Sequence, residues 1–238
     1  MIDVNQINQE FEKASAVAFL QWALKNFPAS KIALASSFGA EDVVLIDMLV
    51  RLEPRVRVFT LDTGRLNEET YEVMDRVRSK YKVRVESYFP DAKKVEELER
   101  GKGFYSFRES VENRKECCGI RKVEPLRRAL KGLEAWITGL RREQAVTRAG
   151  VHKIEVDEAN GGLFKLNPLA DWTQGDVWSY IRKNGVPYNK LHDLGVPSIG
   201  CAPCTRAVKP GEDIRAGRWW WEDPGHKECG LHVGKKET

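Results

Sequence analysis

Apolar residues recur at helical spacing over residues 7–27. Ile7, Phe11, Ala14, Val17, Ala18, Leu20, Trp22 and Leu24 predict one amphipathic helix that Pro28 closes. Residues 31–36 then read as a short buried strand, 41–52 as a helix and 56–61 as a second strand ending at Asp62-Thr63-Gly64. A helix is expected over 67–81, a third strand over 83–89 and a lysine- and glutamate-rich helix over 91–100. Residues 101–115 read as a polar loop, and 123–130 as a helical segment begun or interrupted by Pro125. A fourth strand is expected over 135–138, a fifth over 163–169, and a helix over 173–182 with Thr173 as its N-cap.

Such alternation over residues 30–170 predicts an α/β fold: a mostly parallel sheet with helices on both faces. Ligands of such sheets bind outside the carboxyl ends of the strands. From about Pro187 the chain becomes rich in Gly, Pro, Cys and Trp and loses its period. The division expected is a nucleotide-binding α/β domain over 1–198 and a functional tail over 199–238 packed on that same domain.

Composition narrows the class. In 238 residues, 42% are hydrophobic and 31% charged, a globular balance. The formal charge of +4 suits an anionic small substrate and gives no ground for nucleic acid as a partner. No apolar run has the length of a membrane span, and the first residues lack the pattern of a signal peptide. No membrane association and a cytoplasmic location are therefore expected. Five cysteines, an odd number in such a chain, favour metal binding or thiol chemistry over a disulfide framework.

Three loops that follow expected strands carry ligand chemistry. Ser36-Ser37-Phe38-Gly39-Ala40-Glu41-Asp42 is small enough for backbone N–H groups to approach an oxyanion at a helix N-terminus. It matches neither the Walker pattern nor GxGxxG, and an ordinary strand–helix turn explains it equally well. In Leu61-Asp62-Thr63-Gly64-Arg65-Leu66, Asp62 and Thr63 can cap the next helix, or Thr63 and backbone groups can bind a nucleoside. The loop 138–148 crowds Arg141, Arg142 and Arg148, suited to phosphate or sulfate.

The cysteines divide into four plus one. Cys117 and Cys118 are adjacent, and Cys201 and Cys204 form C-x-x-C. Two adjacent thiolates reach one tetrahedral ion with difficulty, whereas a cubane offers each its own iron. Spacing therefore leans to [4Fe–4S] while leaving zinc and a redox dithiol open. Cys229 stands apart between glycines, with His226, Lys227 and His232 nearby to favour a thiolate nucleophile. Between Cys204 and Cys229, Arg215 and Arg218 would share one side of a helical turn, and the tryptophans 219–221 cannot all share one face.

Together these segments resemble the assimilatory adenylyl-sulfate (APS) reductases, relatives of the phosphoadenylyl-sulfate (PAPS) reductases within the adenine-nucleotide α-hydrolase-like fold. The resemblance is carried by residues 36–42, 61–66, Cys-Cys-Gly-Ile-Arg-Lys-Val-Glu-Pro-Leu (117–126), Thr-Gly-Leu-Arg-Arg-Glu-Gln (138–144), Cys-Ala-Pro-Cys-Thr-Arg (201–206) and Lys-Glu-Cys-Gly-Leu-His (227–232). Both cysteine pairs mark the cluster-bearing branch, since typical PAPS reductases lack them. The first loop departs from the Ser-Gly-Gly-x-Asp-Ser form of ATP-cleaving relatives, which argues against ATP hydrolysis. The resemblance implies one [4Fe–4S] cluster on Cys117, Cys118, Cys201 and Cys204, with Lys122 between cluster and substrate and Cys229 as nucleophile. It implies that Ser36, Ser37, Gly39, Glu41, Leu61, Asp62, Thr63, Gly64 and Arg65 hold the nucleotide. Arg142, Arg148, Arg215 and Arg218 would take the phosphosulfate. The implied reaction reduces APS to sulfite and AMP with a thioredoxin or glutaredoxin-like dithiol donor, on the route from sulfate to cysteine, through a cysteine S-sulfonate. The cluster is expected to order the site without changing oxidation state, and a homo-oligomer is compatible with the resemblance. A cluster-bearing reductase that also accepts PAPS, and a non-catalytic iron–sulfur redox sensor, are the alternatives.

Overall fold

The computed structural model describes residues 2–223 and 231. Cys229, His226, Lys227 and His232 lie outside the described residues. The apolar stretch expected as one helix is two, α1 (Val4–Phe11) and α2 (Ala16–Asn26). The break is local: the Ser15 side chain accepts from Ala18 N and starts a new helix, a competing bond that apolar spacing does not register. Then follow β1 (Ile32–Ala35), α3 (Ala40–Leu52), β2 (Arg57–Leu61), α4 (Glu68–Tyr81), β3 (Val85–Tyr88) and α5 (Ala92–Lys102).

The expected polar loop over 101–115 is partly helical. A 3-10 turn (Ser106–Arg108) precedes α6 (Val111–Cys118), which runs through a π-turn (Gly119–Val123) into α7 (Glu124–Leu130). Buried positions of α6 are Arg114 and Cys118, so its inward side carries no apolar stripe to read. After β4 (Ala135–Ile137) the chain makes β5 (Ile154–Asp157) and β6 (Leu163–Leu166), and α8 (Gln174–Asn184) is capped by Thr173 as expected. The fifth expected strand is thus β6 and ends at Leu166 instead of 169. Strand β5 was not anticipated: it is four residues long, and Val156 faces outward at 40% exposure.

Among the described residues, six strands form one sheet in the order β3-β2-β1-β4-β6-β5. β1 pairs in parallel with β2 and β4, β4 with β6, and only β5 runs antiparallel, on β6. Centring β1 puts Ile32, Ala33 and Leu34 out of water on both faces, which explains the unbroken apolar run in that strand.

The chain divides into two compact units. The first comprises Met1–Thr60, Glu68–Glu86 and Gly132–Asp193; the second comprises Leu61–Asn67, Ser87–Lys131 and Leu194–Thr238. The first holds the main core, in which Phe19, Leu20, Leu34, Val44, Leu45, Ile137 and Leu166 are fully buried. In the second, residues from 194 onward group with 61–67 and 87–131, so this unit brings both cysteine pairs together. No helix is long and apolar enough to cross a membrane among the described residues.

Candidate functional site

In the first unit, the turn after β1 is pinned by its own side chains. Asp42 accepts from Ser37 N at 2.6 Å and from Ser37 Oγ at 2.8 Å, and Ser36 Oγ accepts from Phe38 N at 3.1 Å. Phe38 is fully buried and holds a left-handed φ of 59°. This costs conformational energy that the closed turn must supply. Burial pushes the Asp42 carboxyl up to about 6, against the two Ser37 bonds that favour its charge. The turn after β4 packs on the same place. A Cβ on Gly139 would lie 2.5 Å from Asp42 Oδ1 and 2.9 Å from Glu41 Cβ, so only glycine fits.

The arginine loop of this unit assigns its three guanidiniums differently. Arg141, 1% exposed, binds Glu41 at 2.7 Å and also meets Glu143, Gln174 and the Trp172 carbonyl. Arg142 forms a fork on Glu12 at 2.7 and 3.0 Å and donates to Val151 O at 2.7 Å. That bond holds the Glu12 carboxyl below its usual range. Arg148 donates to Gln144 Oε1 at 2.6 Å from a 3-10 turn (Val146–Arg148). The structure thus brings Ser37, Gly39 and Glu41 together with Arg141, and turns Arg142 toward α1.

In the second unit, all four cysteines of the two pairs line one pocket with Arg65, Arg114, Arg121, Lys122 and Arg218. Cys117 and Cys118 end α6 just before the π-turn. Adjacent residues on a helix point about 100° apart, so they reach the pocket from different directions. Cys201 and Cys204 bracket a 3-10 turn, with Cys204 N donating to Cys201 O at 2.9 Å. The Leu61–Leu66 turn contributes directly. Asp62 Oδ1 accepts from Gly64 N at 2.9 Å and Thr63 Oγ1 from Arg65 N at 3.2 Å, so these side chains close the turn itself. Thr63 Oγ1 also lies 3.3 Å from Cys201 Sγ, while Leu61 ends β2.

Burial and charge oppose each other at these thiols. For Cys201 burial raises the pKa, but Lys122, the Thr63 hydroxyl, Arg218 and Arg121 together outweigh it and the net direction is down. Burial pushes Cys204 up to about 11, and burial likewise raises Cys117 against the charges of Arg121 and Arg65.

Arg218 is buried, and its guanidinium fills the space above Gly200 where a Cβ would come within 2.2 Å. Arg218 and Arg114 stack on Trp219, each 4.6 Å from the ring centre. Arg114 Nε also binds Glu222 at 2.6 Å, a pair almost wholly out of water. A single hydrogen-bonded turn spans 215–218, with Arg218 N donating to Arg215 O at 2.9 Å, but no helix forms there. Thr205 and Arg218 also form an antiparallel bridge; Arg218 lines the pocket, and Arg215 is half-buried outside its lining. Of the three tryptophans, Trp219 is buried, Trp221 half-buried and Trp220 exposed.

Among the described residues, no group of three or more His, Cys, Asp or Glu is gathered for a single metal ion. Four thiols spread around one pocket fit a group of several irons, because each thiolate then needs its own iron. Sequence reasoning gave no role to Arg121, Arg114 and Glu99. Arg121 is 5% exposed; it donates to Thr63 O at 2.7 Å and to Glu99 Oε1 at 2.6 Å. Its place in the 117–126 motif, one residue before Lys122, was the available signal.

The family model for the phosphoadenosine phosphosulfate reductase domain matches residues 31–207. A protein of Allochromatium vinosum named adenosine 5'-phosphosulfate reductase is 51% identical over 92% of this chain and 85% of its own. Its namesake in Burkholderia cepacia is 53% identical over 85% of this chain and 81% of its own. The chloroplastic 5'-adenylylsulfate reductase 3 of Arabidopsis thaliana is 49% identical over 98% of this chain, which spans about half (52%) of the plant protein. Among solved structures, a PAPS reductase of Candida auris in complex with phosphate superposes with a TM-score of 0.73 at 33% identity, covering 86% of this chain and 96% of its own. An FMN adenylyltransferase of Candida glabrata shares the fold, with a TM-score of 0.55 at 14% identity over 90% of this chain and 73% of its own.

Proposed function

From its membership of the phosphoadenosine phosphosulfate reductase family, among the adenosine 5'-phosphosulfate reductases, we propose that this chain reduces APS to sulfite and AMP in sulfate assimilation. The observation that carries the reading is the single pocket lined by Cys117, Cys118, Cys201, Cys204, Lys122 and Arg218. The four thiolates hold one [4Fe–4S] cluster. When bound, that group supplies cross-links between the two cysteine segments and a local electrostatic field. No electron need leave it.

The chemistry belongs to Cys229. Its thiolate attacks the sulfate sulfur, an S–S bond forms, and the bond from sulfur to the phosphate oxygen breaks as AMP leaves with the electron pair. A thiolate of a thioredoxin-type protein then attacks Cys229 Sγ, and sulfite leaves with the S–S pair. The donor's second thiol resolves the mixed disulfide and restores the Cys229 thiolate. Two electrons thus pass from the dithiol to sulfur.

An anion must approach an anion in the first step. Lys122 and Arg218 offset that repulsion and stabilise charge as it moves onto the phosphate. Arg141 holds Glu41 in place beside the nucleotide-binding turn, and Arg142 supports its own loop through Glu12. The 33% identical PAPS reductase favours a second reading, use of PAPS as well, which competition between the two nucleotides decides. The central test is labelled APS without reductant, followed by mass mapping. Label is expected on Cys229 and no other cysteine. Cys229→Ser should abolish sulfite release while keeping its iron; label elsewhere, or active iron-free protein, overturns the reading.

A further inference from the structure

Glu99 lies on α5, away from every segment that marked the site in the sequence. Its Oε1 accepts from Arg121 Nη2 at 2.6 Å and from Arg65 Nη2 at 2.8 Å. Both guanidiniums line the four-cysteine pocket. Arg121 reaches both cysteine pairs. It lines the pocket beside Cys117 and Cys118, and its Nη1 donates to Thr63 O at 2.7 Å, where Thr63 Oγ1 touches Cys201 Sγ. Gly64 beside it has φ 68°, the left-handed backbone that favours glycine in this turn. Arg65 is tied further by Nη2 to Phe104 O at 2.9 Å and stacks over Phe107.

Lys122 and Arg218 line the same pocket, so the two guanidiniums sit among like charges. A carboxylate binding both of them at once removes that repulsion and fixes their direction. We infer that Glu99 is a positioning residue for the four-cysteine site, holding Arg121 across the two cysteine pairs and Arg65 at the pocket wall. This rests on the cluster reading above. Partners one shell out from metal ligands commonly change metal retention by an order of magnitude.

The test compares anaerobically prepared wild type, Glu99→Gln and Glu99→Asp. Iron release to a chelator is followed by loss of visible absorption. Wild type without iron defeats the cluster reading itself, and this inference with it. With iron-loaded wild type, Glu99→Gln should release iron about tenfold faster, and Glu99→Asp should restore most of the difference. Release from Glu99→Gln at the wild-type rate overturns the inference. So does equal acceleration in both variants, which marks a merely structural role. If Glu99→Gln takes up no iron, Arg121→Lys serves instead, since it keeps the charge but loses the fork. Faster release there supports the inference, and wild-type release overturns it.

Discussion

Asp42 is buried at the start of α3, with its carboxyl pushed up to about 6 from 3.8. Its folded-state pKa exceeds the unfolded one, so its stabilising contribution is complete below about pH 4 and is lost as pH rises through about 6. The size is on the order of 2–3 kcal/mol for a shift of about two units. Urea unfolding of wild type and Asp42→Asn between pH 4 and 7.5 should show wild type losing that much relative to the variant, with most of the change between 4 and 6. Parallel pH profiles would contradict it. The arginine loop shows what residue-scale reading reaches. Sequence marks three guanidiniums after a strand, but which one faces the turn is set by backbone direction. Arg141 is extended and begins a 3-10 turn, so it and Arg142 point to different partners, Glu41 and Glu12. Cys117, Cys118, Cys201 and Cys204 were legible as a set because few other roles explain paired cysteines in this spacing. Arg121 and Glu99 were not, since their roles arise from contacts between segments far apart in the chain.

Helices rich in apolar residues were legible almost to the residue: α8 buries one side through Val177 and Ile181, and α3 is buried nearly all round. The failures share a cause: what decides the element is polar. The division between α1 and α2 is made by the Ser15 cap. Ser15→Ala should cost about 1 kcal/mol in equilibrium unfolding, leaving α2 to start without its acceptor. A loss under a few tenths would show that tertiary packing, not the cap, places the break. Helix α6 buries an arginine and a cysteine, so hydrophobicity reads it as loop. The π-turn that follows adds a residue to one helical turn and re-aims the chain between Cys118 and Lys122. Strand β5 gains its place from pairing with β6, in the register Ile154 to Leu166 through Asp157 to Leu163, and a segment of four residues holds little periodic signal of its own.

At the scale of the whole chain, the two units have different supports. The first has an extended apolar core, while the second relies on buried ion pairs, stacked guanidiniums and four thiols around one pocket. On the proposed cluster reading, removing iron should therefore act unevenly. In hydrogen exchange after anaerobic chelation, peptides from 111–123 and 199–222 should exchange at least about tenfold faster, while those covering Ile32–Ala35 and Val43–Leu49 keep their protection. A uniform loss across the chain would mean that the thiol site supports the sheet as well.

The segment shared with the wider family starts at residue 31, yet the arginine loop leans on what comes before it. Glu12 grips Arg142, and Asn8 exchanges two hydrogen bonds with the backbone of Ile154. The amino-terminal helices are thus a splint for the loop that carries Arg148. A chain begun at residue 31 would keep every signature motif and still lose the brace that keeps the loop in shape.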